Sequence, residues 1–232
     1  MQDDTWVIRM IAGLSALAVL AAIDLCRNPE NPTRVKEYVF LFGVTGLTIA
    51  YGLIVDMITY SISTEYFSVG KGLSGAEKSF YPDVAVMAVK AAWTAGLVVG
   101  VVLLVANNPR KNLPQLGYRG LARCLSLPLS LSIACGLILG FSARLSASSL
   151  SARIGLNSLG LSNDVGFISV WGTHIGIYVG GLVGLILAAG RIRRGRYSFR
   201  KVVSESLLAR NRISAGRTIA ARPCVTSSIR RE

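Results

Sequence analysis

The chain has 232 residues, of which 52% are hydrophobic and only 16% are charged, and its formal net charge is +13. Soluble globular domains carry about 25% charged residues, so this composition argues against a soluble protein. The segments between the hydrophobic runs are also too short to hold a soluble domain of ordinary size.

Five hydrophobic runs predict five membrane-spanning helices, because a helix needs about 20 apolar residues to cross a hydrocarbon layer about 30 Å thick. A membrane β-barrel is excluded, since its strands would show alternating segments of about ten residues. We therefore predict an all-α fold, a polytopic transmembrane helical bundle over residues 1–190, followed by a basic, partly disordered cytoplasmic tail over residues 191–232. The predicted spans are residues 6–26, 38–60, 84–106, 125–144 and 165–189.

The distribution of charge predicts the orientation. Residues 191–232 contain twelve Lys or Arg and two Glu, and the segments 27–37 and 107–124 are also basic. Positive residues in short loops stay cytoplasmic, which predicts an inner-membrane protein with its N-terminus outside and its C-terminus inside. The first run has a second interpretation as a signal peptide, since its uninterrupted apolar core is only fourteen residues long. Cleavage there would leave four spans and place the basic tail outside, against the charge rule.

The beginning of the tail predicts an interaction with anionic lipid, because basic residues next to a span each contribute about 1 kcal/mol of attraction to an anionic surface. Nucleic acid is the other polyanion, but no nucleic-acid-binding motif accompanies the charges. Residues 199–210 are compatible with a short amphipathic helix on the membrane. The proposed lipid-binding residues are Arg191, Arg193, Arg194, Arg196, Arg200 and Lys201.

Ionisable residues near one end of three spans form the candidate functional site. One interpretation is an outward-facing polar pocket, in which Asp56 is the counter-ion of Lys90 and His174 lies deeper. The other is that Asp56 and Lys90 reach separately to the headgroups, while His174 only fixes helix packing. The whole candidate cluster is Asp56, Glu65, Tyr66, Lys90, His174 and Tyr178.

A glycine repeat in the last span is the most specific packing signal. Glycines every four residues let two helix backbones approach closely. Residues 172–184 contain three such steps, and the third span contains one. We expect this stripe to pack inside the bundle; the alternative is contact with a second copy or another membrane protein. The glycines concerned are Gly96, Gly100, Gly172, Gly176, Gly180 and Gly184.

Motifs for nucleotide binding, hydrolase nucleophiles and zinc are absent from the sequence. We therefore expect no cofactor, assign no catalytic residue and lean against an enzyme. A metal site formed by Asp56, Glu65 and His174 is an alternative that no ligand spacing supports.

Two stretches resemble a family of small, uncharacterised bacterial multi-pass membrane proteins. "DMITYSISTEYFSVGKG" (56–72) is similar to a family motif at a helix exit, an Asp followed by Ser-Pro-Glu-Tyr-Phe-Thr and then Gly-His-Pro. "WGTHIGIYVGG" (171–181) resembles the family's last helix through His174, Tyr178 and Gly180. The sequence departs from the family at Thr64, where the family has Pro, and at 71–72, where it has His-Pro. The resemblance implies that the Asp56–Phe67 segment and His174 act together, and it implies no activity.

Three functional hypotheses follow. The first is a non-enzymatic membrane component that binds a partner, a lipid or a small solute at its outer face. The second is a small transporter or channel with a proton- or ion-linked pathway through Asp56, Lys90 and His174. The third is an enzyme acting on a lipid at the same face. An ion pathway requires those three residues to share a cavity, whereas an enzyme of this kind requires a cleft open sideways to lipid.

Overall fold

The computed structural model describes residues 2–73, 81–108, 115–155, 161 and 164–220. The described part is helical, with five helices long and apolar enough to cross a membrane, so the predicted fold class is confirmed. The helices are α1 (Gln2–Arg27), α2 (Thr33–Ile62), α3 (Tyr81–Ala106), α4 (Tyr118–Arg123), α5 (Ser126–Leu145), α6 (Ala147–Ile154) and α7 (Asp164–Ala220). A short π-helix, Tyr66–Gly70, follows α2.

The spans form two tightly packed pairs, α2 with α3 and α5 with α7. In the first pair, a Cβ atom added at Gly96 would lie 2.6 Å from the Cα of Thr45. In the second pair, Cβ atoms added at Gly176 and Gly180 would collide with the backbone carbonyl oxygens of Cys135 and Leu131. Glycine is needed at these positions because the backbones themselves are in contact.

The glycine stripe of α7 is therefore covered by α5 of the same chain. Gly172 and Gly184, at the two ends of the stripe, face Ala143 and Pro128 of α5 in the same way. The surface that the sequence also offered to a second copy is thus already occupied within the chain. Two hydrogen bonds from side-chain hydroxyls add to this interface, from Ser132 to the carbonyl of Ile177 at 2.9 Å and from Ser169 to that of Gly140 at 3.3 Å.

Helix α7 is longer than predicted, because it continues through residues 191–220 instead of ending near 189. The predicted short helix over 199–210 is part of this long helix, which is described as far as Ala220. Residues 221–232 lie outside the described residues. The first proline after α7 begins is Pro223, so no proline interrupts the helix before Ala220.

Arg196 at the beginning of the tail is buried, with 4% of its surface exposed. Its guanidinium donates hydrogen bonds to the carbonyl oxygens of Ala106 at 2.9 Å and Asn108 at 2.7 Å. It therefore satisfies carbonyl groups at the end of α3, which lack partners within the helix. Arg196 was expected among the lipid-binding residues, and the structure places it in this contact between α7 and α3 instead. Arg191, Arg193 and Arg194 are exposed.

Asp24 fixes the connection between α1 and α2. Its carboxylate accepts hydrogen bonds from the backbone N–H of Arg34 at 2.7 Å and from the Asn28 side chain at 3.0 Å. The bond to Arg34 satisfies one of the free N–H groups in the first turn of α2. The predicted first span, residues 6–26, lies within α1.

Candidate functional site

Asp56 is the centre of a polar cluster at the end of the bundle where α2 ends. It lies six residues before the last residue of α2, and only 7% of its surface is exposed. One carboxylate oxygen, Oδ2, lies 3.6 Å from Lys71 Nζ. The other, Oδ1, lies 3.6 Å from His174 Nε2. Asp56 is thus held between a cation from the loop and an imidazole from α7.

The π-helix brings Lys71 to Asp56. Its wide turn is closed by a bond from the backbone N–H of Lys71 to the carbonyl of Tyr66, five residues earlier, at 3.0 Å. The hydroxyl of Ser63 accepts a hydrogen bond from the N–H of Tyr66 at 3.3 Å and satisfies the start of the turn. The loop therefore folds back over the end of α2 and returns the Lys71 side chain to the carboxylate.

Aromatic rings of the π-helix form the wall beside the two charges. The Tyr66 ring stacks on His174 with centroids 5.0 Å apart and an interplanar angle of 16°, and Phe67 is fully buried. Phe167 of α7 packs against Tyr66 at 5.6 Å. The ammonium of Lys71 lies 4.7 Å from the centroid of Phe67 and 5.5 Å from that of Tyr66, within the range of cation–π attraction.

Burial changes the pKa values of Lys71 and Tyr66, two titratable residues that the loop contributes to the cluster. It lowers the pKa of Lys71, because the charged ammonium loses hydration, while the nearby Asp56 carboxylate acts in the opposite direction. Burial raises the pKa of Tyr66 to about 12, and Tyr178 and Asp56 add to this effect. The Tyr66 phenol is therefore a neutral group at physiological pH.

The hydrogen bonds of Thr59 assign the proton of His174. The Thr59 hydroxyl donates to the carbonyl of Val55 at 2.8 Å, so its oxygen acts as acceptor in the 3.3 Å contact with His174 Nε2. In the neutral ring the proton then lies on Nε2, and Nδ1 is an acceptor.

Below this cluster, a groove of about 380 Å³ runs between the two helix pairs. Asp56, Lys71 and His174 line one end, and Val44, Leu125 and Leu185 are among the apolar residues at the other. The groove runs along α2 from Val44 to Asp56, twelve residues, or about 18 Å at 1.5 Å per residue. That length is close to the hydrocarbon depth of one leaflet, about 15 Å.

The groove is open at the side of the bundle. Some of its lining residues are exposed on α3, among them Ala95 and Val98, and on α7, among them Leu182 and Tyr178, which is 63% exposed. Halfway along, the Tyr51 hydroxyl contacts Ser132 Oγ at 3.3 Å and connects α2 with α5. The rest of the lining is almost entirely apolar, as in pockets that bind the hydrophobic part of a ligand.

The structure brings together four of the six residues of the predicted cluster. Asp56, His174 and Tyr66 are in contact, and the Tyr178 ring lies 6.2 Å from that of His174. Lys90 was predicted as the counter-ion of Asp56, but that place is taken by Lys71. Lys90 is not among the residues that line the groove, and its ammonium lies 5.8 Å from the ring of Trp6.

Glu65 precedes the π-helix and is half-buried, and it does not line the groove. Within the described ranges, no three metal-binding side chains converge, so Asp56, Glu65 and His174 do not form a metal-binding group.

Sequence reasoning missed the contact of Lys71 with Asp56, the groove and the burial of Tyr66 and Phe67. Comparison of the chain with protein-family models, with curated proteins and with solved structures finds no match.

Proposed function

We propose that this multi-pass membrane protein binds an amphiphile of the bilayer, with the chain in the groove and the headgroup at Asp56, Lys71 and His174. A groove open at the side is also what an enzyme acting on a lipid requires, and the proposal is limited to binding. One observation carries the proposal: an apolar groove about as long as one leaflet is deep, open at the side of the bundle, ends at a cluster of charged and polar side chains. Apolar lining with a few polar groups at fixed positions is the usual composition of small-molecule sites.

The groove has room for a ligand of this class. Its volume of about 380 Å³ lies within the range of small-molecule pockets, about 300–1,000 Å³. The two regions that resemble the motifs of the bacterial family, 56–72 and 171–181, supply Asp56, Lys71 and His174. This supports a shared role for Asp56 and His174 in binding, whereas Lys71 stands where the family has His, and membership of that family is part of the proposal.

Photolabelling in lipid nanodiscs tests the proposal. The probe is dodecanol with a diazirine within the chain, and the labelled positions are mapped by mass spectrometry. We expect labelling of groove residues on α3 and α7, and Ala95→Phe, which fills the groove, should remove most of it. Val101→Phe is the matched control, because Val101 is exposed on α3 but does not line the groove. Equal labelling of both variants would overturn the proposal.

A proton- or ion-linked pathway is the second candidate, with Lys71 in the place predicted for Lys90. It is favoured by the convergence of Asp56, Lys71 and His174 on one cavity, as expected for ionisable residues of a pathway. The largely apolar lining below Tyr51 and Ser132 favours the amphiphile. Proton flux into proteoliposomes that is abolished by Asp56→Asn would support the pathway.

Orientation and tail binding complete the proposal. The N-terminus lies outside, the C-terminus lies in the cytoplasm of a bacterial cell, and the exposed basic residues of α7 bind anionic lipid. Three exposed arginines, Arg191, Arg193 and Arg194, support the lipid contact. Reporter fusions at the two ends test the topology, and fusions that report the same compartment would contradict it. Binding of another membrane protein elsewhere on the bundle is a further proposal, and nucleic acid is not a proposed partner.

A further inference from the structure

The polar end of the groove is built from groups that attract a cation. Asp56 provides a carboxylate, and Tyr66 and Phe67 provide ring faces. Lys71 is the cation that this structure places there. It is a loop residue, held by the same carboxylate and ring faces that would hold an ammonium group arriving from the groove.

Within the described part of the chain, the two donors recorded beside the carboxylate are both farther away than an ideal charge-assisted bond. Charge-assisted hydrogen bonds between ammonium and carboxylate are about 2.7–2.9 Å long, whereas Lys71 and His174 both lie 3.6 Å from Asp56. Asp56 therefore has acceptor capacity for a closer donor, although 93% of its surface is buried, as follows from its 7% exposure. A buried carboxylate gains most from such a bond, because it has lost its hydration.

We infer that the headgroup recognised here is a primary ammonium, and that Lys71 occupies the ammonium site when no such ligand is bound. A primary ammonium has three N–H donors, so it can form a close hydrogen bond to Asp56, and it has the positive charge that the ring faces attract. Lys71 is a competitor, because an incoming ammonium and its own ammonium contact the same carboxylate. This inference rests on the proposed function and specifies its ligand.

Binding of an anionic headgroup is disfavoured by the same arrangement. A phosphate or sulfate could not take the place of Lys71 at this end of the groove, because the Asp56 carboxylate and the electron-rich ring faces both repel an anion. A headgroup with both charges is compatible only if its ammonium, and not its anion, contacts Asp56.

Competition against the dodecanol photoprobe tests the inference with four amphiphiles of equal chain length. These are dodecylamine, dodecyltrimethylammonium, dodecanol and dodecyl sulfate, used in nanodiscs with wild-type protein and three variants. Dodecylamine should be the strongest competitor. Dodecyltrimethylammonium, which has the charge but no N–H donor, should be weaker.

The variants separate the roles of the residues. Asp56→Asn should weaken competition by dodecylamine about tenfold, the scale of one hydrogen bond to a charged group. Lys71→Met should strengthen it by a similar factor, since it removes the internal competitor. Lys90→Met is the matched control and should change nothing, because Lys90 does not line the groove. Labelling by the dodecanol probe itself reports in each case that the groove is folded.

Three outcomes would overturn the inference. In the first, Lys71→Met weakens competition by dodecylamine. In the second, dodecyl sulfate is the strongest competitor and loses its advantage in Lys71→Met, which would make Lys71 an anion-binding residue. In the third, the four compounds compete equally and Asp56→Asn has no effect, while Ala95→Phe still blocks labelling. That third result would leave the proposed function intact and remove the ammonium site alone, whereas labelling insensitive to Ala95→Phe would remove the proposed function.

Discussion

Asp56 and Lys71 are fifteen positions apart in sequence, yet the Oδ2 atom of one lies 3.6 Å from the Nζ atom of the other. The side chains of both residues are largely buried, with 10% and 19% of their surfaces exposed. A charge that is removed from water and then loses its partner is costly, because the remaining charge has neither hydration nor a counter-ion.

Asp56→Asn and Lys71→Met should each lower the stability of the protein, and the double variant should lose less than the sum of the two. Coupling between contacting residues is usually about 0.5–3 kcal/mol, and we expect a value in that range. Chemical denaturation in mixed micelles measures it through a double-mutant cycle. Additive effects of the two substitutions would show that the pair contributes no net stability.

The lowered pKa of Lys71 predicts early reaction with amine reagents as the pH rises. Burial favours the neutral amine, which is the reactive form, so acylation of Lys71 should have its midpoint below that of free Nα-acetyl-lysine. The charge of Asp56 opposes this shift, so Asp56→Asn should move the midpoint lower still. The measurement is acylation of Lys71 as a function of pH, quantified by peptide mass spectrometry.

The charged and titratable groups around Lys71 in this comparison are Asp56, His174, Tyr66 and Tyr178. Lys90→Met is a control that leaves all of them in place. A midpoint that rises in Asp56→Asn would contradict the direction derived from burial and charge.

The sequence predicted the five spans because membrane helices are encoded by length and hydrophobicity alone, which are local properties. It also identified Asp56 and His174, since ionisable residues inside a span stand out against apolar neighbours. Their contact links α2 and α7 and depends on how the two helix pairs pack. The distance between Asp56 and His174 cannot be read from the residue pattern of either helix alone.

Lys90 was predicted as the counter-ion of Asp56 from its depth along α3 alone. Its contacts depend instead on which face of α3 it lies on. Groove-lining residues on α3 include Ala88, Ala92 and Ala95, whereas Lys90 is two positions after Ala88 and so about 200° around the helix. Lys71 reaches Asp56 only because a π-helix reverses the chain, and π-helices are too rare to be expected from composition. The burial of the nearby aromatic pair, Tyr66 and Phe67, depends on the same reversal of the chain.

The glycine stripe of α7 predicts a position-specific loss of stability. Gly176→Val should destabilise the bundle by about 1–3 kcal/mol or more, as overpacking usually does, because the added Cβ atom would meet the carbonyl of Cys135. Gly46→Val on α2 is the control, since an added Cβ atom there meets nothing within 4 Å. Thermal unfolding in detergent compares the two. Equal effects would show that α5 and α7 do not pack as described.

The buried hydrogen bonds of Arg196 lead us to predict that the beginning of the tail stabilises the bundle. Arg196→Met keeps much of the apolar length of the side chain but removes both hydrogen bonds to the carbonyls of Ala106 and Asn108. Hydrogen bonds that involve a charged group contribute about 1.5–3 kcal/mol, so the variant should unfold at a clearly lower temperature than the wild type. Arg194→Met is the matched control, because Arg194 is exposed two positions earlier on the same helix.

The two arginines should also differ in how they affect lipid binding. Arg194→Met should weaken binding of the purified protein to anionic lipid relative to neutral lipid and leave the unfolding temperature unchanged, since an exposed cation near the membrane acts through long-range attraction. Arg196→Met should do the reverse, because its charge is used inside the protein. If both variants lowered lipid binding equally and neither changed the unfolding temperature, the hydrogen bonds between Arg196 and the end of α3 would contribute nothing to folding.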